Sequence, residues 1–131
     1  MNRLSAFPVE AGWLGERRTW AAFGDPPTST DVGEMLGQVT AAPDGICLDA
    51  EGAVWVADAA HSRLIRVAEG GRILEECRIE GAGVFACMLG GEDGRTLFAC
   101  VAPTFHEVEA SANHRASILM TKVEVPHAGL P

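Results

Sequence analysis

The stretch Pro43-Asp44-Gly45-Ile46-Cys47-Leu48-Asp49-Ala50-Glu51-Gly52-Ala53-Val54-Trp55-Val56-Ala57 constrains the fold more than any other part of the chain. It reads as a strand, a tight turn of Asp, Glu and Gly, and a second strand, with an acidic residue at the entrance. The pattern recurs more weakly downstream. Leu48 corresponds to Leu89 and Trp55 to Phe98, at offsets of 41 and 43 residues, the extra residues lying in the turn Gly91-Glu92-Asp93-Gly94-Arg95. A near-regular repeat of this length, built from short strands, is the pattern of a β-propeller blade.

Three further segments resemble one another as third strands of such a blade. They are Arg3-Leu4-Ser5-Ala6-Phe7, Arg63-Leu64-Ile65-Arg66-Val67 and Ile118-Leu119-Met120-Thr121-Lys122-Val123. Outer strands follow the first two, at Arg18–Phe23 and Arg72–Ile79. The expected fold class is therefore all-β, a partial β-propeller. Within 1–131, residues 2–23 supply the end of one blade, 44–79 a full blade and 84–125 three strands of the next, about two and a half four-stranded blades in all. Propellers close with roughly 4–8 blades, so such an arc cannot close by itself. Two connections are long. Residues 24–42 are rich in Gly, Pro, Ser, Thr and Asp, with Asp31 placed to cap a short helical turn. Residues 101–116 show no periodicity and are expected to be loop.

The net charge of −8 argues against a nucleic-acid or anionic-membrane partner, since phosphates would be repelled. No window is apolar enough for a signal peptide or a membrane span, so a cytoplasmic location is expected. The cysteines Cys47, Cys77, Cys87 and Cys100 contain no Cys-x-x-Cys pair. Three lie in apolar strand-like runs, and buried reduced thiols are expected.

The Pro43–Gly52 segment followed by Val54-Trp55-Val56-Ala57 resembles the senescence marker protein / gluconolactonase / luciferin-regenerating enzyme family, whose members are regucalcin-like. Gly15-Glu16-Arg17-Arg18, Arg63–Val67, Phe85–Gly91 and the ending Val123–Gly129 resemble it as well. The resemblance implies a six-bladed propeller that hydrolyses small lactones with one divalent metal (Ca, Zn, Mn or Mg) in its central channel. It also implies that these 131 residues correspond to the C-terminal half. Of the family's three protein ligands, a glutamate, an asparagine and the aspartate of Pro-Asp-Gly, only the last has a counterpart here, Asp44. Asp44 is thus the candidate metal ligand and a candidate base for the attacking water.

Other polar residues carry weaker readings. Asp58 and His61 flank a short connection on the Asp44 side and are candidates for a substrate rim, with plain loop polarity as the alternative. Asp49, Glu51, Glu92 and Asp93 are expected to be solvated turn residues. His106, Glu107, Glu109 and His114 match no metal-ligand spacing. Trp55 and Phe98 are expected to be core. The leading functional expectation is the C-terminal half of a metal-dependent lactone hydrolase, with a small-molecule lactone as substrate and no activity as an isolated chain. The alternatives are a truncated, non-catalytic propeller fragment or assembly module, and a regucalcin-like calcium-binding regulator. Exposed strand edges point to self-association or to a complementing N-terminal half as partner.

Overall fold

The computed structural model describes residues 1–129, in eleven strands and two short helices. In chain order these are β1 (Arg3–Ala6), β2 (Val9–Glu10), β3 (Trp13–Leu14), β4 (Arg18–Ala22), α1 (Val32–Gln38), β5 (Pro43–Leu48), β6 (Val54–Asp58), β7 (Arg63–Val67), β8 (Ile73–Arg78), β9 (Gly83–Gly90), β10 (Thr96–Ala102), α2 (Glu107–Asn113) and β11 (Ser117–Lys122). Every pairing is antiparallel. The sheets are β1-β4, β5-β6-β7-β8 and β11-β10-β9, with a small β2-β3 hairpin between the strands of the first.

The four-stranded sheet is the centre of the molecule. Its middle strands, Val54–Asp58 and Arg63–Val67, are buried at every position. Alternate side chains in a strand point to opposite faces, so a strand buried throughout must be covered on both. On one face Cys47, Trp55, Ala57 and Leu64 pack against Val84, Cys87, Leu89, Leu97, Ala99 and Val101 of the β9–β10 sheet. On the other, Val54, Val56, Ile65 and Val67 pack against Leu4 and Ala21 of the β1–β4 sheet. Three sheets thus stack face to face around two apolar layers. Trp55 is 2% exposed, whereas Phe98 is only half-buried.

Gly45 sets how closely two sheets approach. A Cβ at this position would lie 2.5 Å from Ala86 Cα. The innermost strands β5 and β9 therefore touch backbone to backbone, and only glycine fits.

Two expectations about the connections need revision. Asp31 does cap a helix, accepting a hydrogen bond from Glu34 N at 3.0 Å, but α1 runs for seven residues. Residues 101–116 are not a featureless loop: β10 extends to Ala102 and α2 occupies Glu107–Asn113, ending on His114 in a left-handed conformation. None of the α2 residues is buried, so no apolar stripe marked it in the sequence. Among the described residues, no helix is long and apolar enough to cross a membrane.

The thiols also divide differently from expectation. All four are free; Cys47 and Cys87 are buried, Cys77 is half-buried and Cys100 is exposed. Strand alternation places Cys100 opposite the buried Ala99 and Val101.

Candidate functional site

Asp44 lies one residue into β5, the innermost strand of its sheet, and is exposed. The β5–β6 pairing runs Pro43↔Asp58, then shifts register before Ile46↔Val56. Asp44 and Gly45 therefore occupy an irregularity in the ladder, where a strand bends and re-aims a side chain.

The segment that delivers Asp44 is held from three sides. Asn2, 3% exposed, accepts hydrogen bonds through Oδ1 from Thr40 N (3.1 Å) and Ala41 N (3.2 Å), and its Nδ2 donates to Asp25 O (2.7 Å). Asp58 accepts from Ala42 N at 2.9 Å, and Ala59 N donates to Ala42 O at 3.0 Å. Arg63 donates from Nη2 to Thr40 O at 2.8 Å. Residues 40–42 thus have their backbone groups tied to the residue preceding β1 and to strands β6 and β7. The ion pairs of Arg63 and Arg66 go to Asp58, Glu76, Asp49, Glu51 and Glu75, and Asp44 is in none of them.

Asp58 departs from the rim role considered for it. Its carboxylate is 0% exposed and is taken up by the chain's own donors: Ala42 N, Arg63 Nε at 2.8 Å and the His61 ring at 3.0 Å. Burial alone would raise the Asp58 carboxyl. The Ala42 amide, the Arg63 guanidinium and His61 outweigh it and hold the carboxyl below its ordinary range. A carboxylate that is 0% exposed and already engaged by three of the chain's own donors is not presented to a substrate. His61 is exposed, with its ring turned onto Asp58.

Asp49 likewise is not a solvated turn residue. It is 1% exposed, accepts from Glu51 N (2.9 Å) and Ala53 N (3.0 Å), and pairs with Arg66 Nε at 2.6 Å. Glu51 also leans on Arg66, at 2.8 Å, and so does Glu75, at 3.1 Å. Glu92 is exposed, and Asp93 is exposed in an ion pair with Lys122. Arg63 and Arg66, three apart on one strand, thus close the two ends of the four-stranded sheet with two acid clusters. Each is raised above the ordinary guanidinium range, the bonds to its carboxylates overcoming the cost of burial. Sequence reasoning missed both arginines. The signal was available as two charges inside a strand otherwise apolar enough to be central.

The two ends differ in character. Connection 24–42, connection 59–62 and the α2 connection lie at the Asp44 end, because β5 and β9 start there and the antiparallel pairings carry Asp58 and Ala102 back to it. The tight turns lie at the other end. The C-terminal tail crosses them: Ala50 N donates to Pro126 O (2.8 Å) and His127 N to Gly94 O (3.0 Å). His106, Glu107, Glu109 and His114 are exposed on or beside α2. Among the described residues, no three His, Cys, Asp or Glu side chains come together as a metal site.

Residues 1–102 match the family model described as the SMP-30/gluconolactonase/LRE-like region. The chain belongs to this family. One relative in this family is the 6-deoxy-6-sulfogluconolactonase of Pseudomonas putida, 28% identical over 110 residues, covering 82% of this chain and 38% of the relative. Another is regucalcin of Danio rerio, 32% identical over 71 residues, covering 53% of this chain and 24% of the relative. Among solved structures, a luciferin-regenerating enzyme superposes with a TM-score of 0.68 at 19% identity, covering 96% of this chain and 40% of that one. A calcium-binding protein, regucalcin from Agrobacterium tumefaciens, superposes with a TM-score of 0.63 at 19% identity, covering 98% and 43%. The fold is that of a partial β-propeller of the regucalcin-like family. The chain spans less than half the length of each of these relatives.

Proposed function

We propose that this chain supplies the Asp44-bearing part of a lactone hydrolase acting on sugar-lactone substrates. The observation that carries the reading is Asp44 itself: an exposed carboxylate on the innermost strand, at the end of a segment immobilised by Asn2, Asp58 and Arg63. A side chain presented from a rigid frame loses little entropy on engaging a ligand, which is what a metal-binding or water-activating carboxylate needs.

One carboxylate does not fit a divalent ion by itself, since hard cations of the calcium type take six to eight oxygen ligands. No chemical step is therefore assigned to a metal within these residues. In this reading Asp44 contributes one ligand, or a base for the attacking water, to a site completed by residues outside this sequence. The length that the relatives have beyond the matched region leaves room for them. The calcium-binding description of the Agrobacterium regucalcin favours calcium among the candidate ions.

The test is complementation. The chain is co-expressed with the N-terminal segment of a family lactonase, and lactone hydrolysis is followed by proton release alongside Ca²⁺ calorimetry. The pair should hydrolyse lactone and bind Ca²⁺, the single chain should do neither, and Asp44→Asn should abolish both in the pair without dissociating it. Activity of the pair that survives Asp44→Asn would refute the assignment. A second reading, a non-catalytic assembly module, draws on the fully exposed edge strand β11. It predicts a stable pair with neither hydrolysis nor Ca²⁺ binding.

A further inference from the structure

Cys47 on β5 and Cys87 on β9 meet across the seam between two sheets, with their sulfurs 4.0 Å apart. Both side chains are 8% exposed and both thiols are free. Their strands come together just before the pair, where a Cβ on Gly45 would lie 2.5 Å from Ala86 Cα. The two sulfurs differ in access. Cys47 lines a cavity of about 390 Å³ bounded by Ile46, Leu48, Met88 and the tail residue His127, and a second cavity of about 250 Å³ beside Leu4 and Trp20. Cys87 lines neither of these cavities, and its sulfur lies 3.5 Å from both Gly45 O and Trp55 O. The hydrogen bond between the sulfurs holds the Cys47 thiol below its ordinary value, while the same bond together with burial raises Cys87. Cys47 is therefore the sulfur of the pair that a small reagent entering the cavities meets first.

We propose that Cys47 and Cys87 form an oxidisable dithiol, a modification site that reacts with small disulfides of the glutathione class and closes to a disulfide between the two sheets. In the first step the Cys47 thiolate attacks one sulfur of the small disulfide. A Cys47 mixed disulfide forms, the small S–S bond breaks and one small thiolate leaves. In the second step Cys87 loses its proton and attacks the Cys47 sulfur, expelling the second small thiolate. The protein gives up two electrons and two protons, and the small disulfide is reduced to two thiols. A disulfide has an S–S length of about 2.0 Å, so forming it requires the sulfurs, now 4.0 Å apart, to close by about 2 Å. The cross-link would tie the two innermost strands together three residues beyond Asp44.

The full chain is incubated under native conditions with oxidised glutathione, its thiols are titrated, and a non-reducing peptide map is read by mass spectrometry. The expected result is loss of the Cys47 and Cys87 thiols together, with a linked Cys47–Cys87 peptide lighter than its reduced parts by two hydrogens. Dithiothreitol should restore both. Cys87→Ser should abolish the linked peptide and leave a glutathione adduct on Cys47, and Cys77→Ser should leave the link intact. The proposal is overturned if wild-type Cys47 stops at the mixed disulfide, if the links run through Cys77 or Cys100, or if Cys47 stays unreacted until the chain is unfolded. The wild-type map decides the question even if a variant fails to fold.

Discussion

Replacing Asp58 by asparagine tests the idea that the Asp44 segment is held by a buried ion pair. The substitution keeps the shape of the side chain and an oxygen for Ala42 N, but it removes the charge opposite Arg63 and turns an amide N–H₂ toward a guanidinium N–H. Asp58 is 0% exposed and the Arg63 side chain 11%, so little water can take over. Removing one partner of a buried pair costs about 3–5 kcal/mol. Arg63 keeps Glu76 at 2.8 Å and Thr40 O at 2.8 Å, which places the expected loss at the low end, about 3 kcal/mol. With a urea m-value of about 1.5 kcal/mol/M, the unfolding midpoint should fall by about 2 M. Fluorescence reports it, since Trp55 is 2% exposed when folded. The pH dependence supplies a second readout. The Asp58 carboxyl is held below its ordinary value of 3.8, so its contribution is fully present above that pH and is lost as the pH falls below it. The gap between wild type and Asp58→Asn should therefore be widest near neutrality and close on acidification below pH 3.8. A midpoint shift under about 0.5 M, or a gap that does not change with pH, would refute the reasoning.

Gly45→Ala would place a methyl group 2.5 Å from Ala86 Cα, forcing β5 and β9 apart, and should cost about 1–3 kcal/mol in urea unfolding; an unchanged midpoint would mean that the seam is looser than the close approach implies. Ile118→Lys puts a charge on the exposed outer edge of β11, which among the described residues has no partner beyond it in its sheet. Light scattering should show less self-association than the wild type, as charged edges block strand addition, with stability within about 0.5 kcal/mol. Equal association in both proteins would remove β11 as the sticky edge.

What the sequence determined by itself is what depends on neighbours along the chain. The strand–turn–strand units at Pro43–Ala57 and Phe85–Cys100, the cap at Asp31 and the central character of β6 and β7 all follow from alternation, turn residues and short-range hydrogen bonding. Asp44 stood out because of its place beside Pro43 and Gly45, and the glycine has a local consequence in the touching strands. Tertiary structure alone decided which acids are buried. Asp49 and Asp58 look like any turn aspartate, yet each is buried because a guanidinium from β7, 17 and 5 residues away in sequence, meets it at 2.6 and 2.8 Å. The same holds for Asn2, which reaches backbone 38 residues on, and for Cys47 and Cys87, which meet across two sheets. A polar side chain carries its donors and acceptors in its own identity, but whether water or protein satisfies them depends on what the fold places against it, whether from the next strand, as Arg63 for Asp58, or from far along the chain, as Thr40 for Asn2.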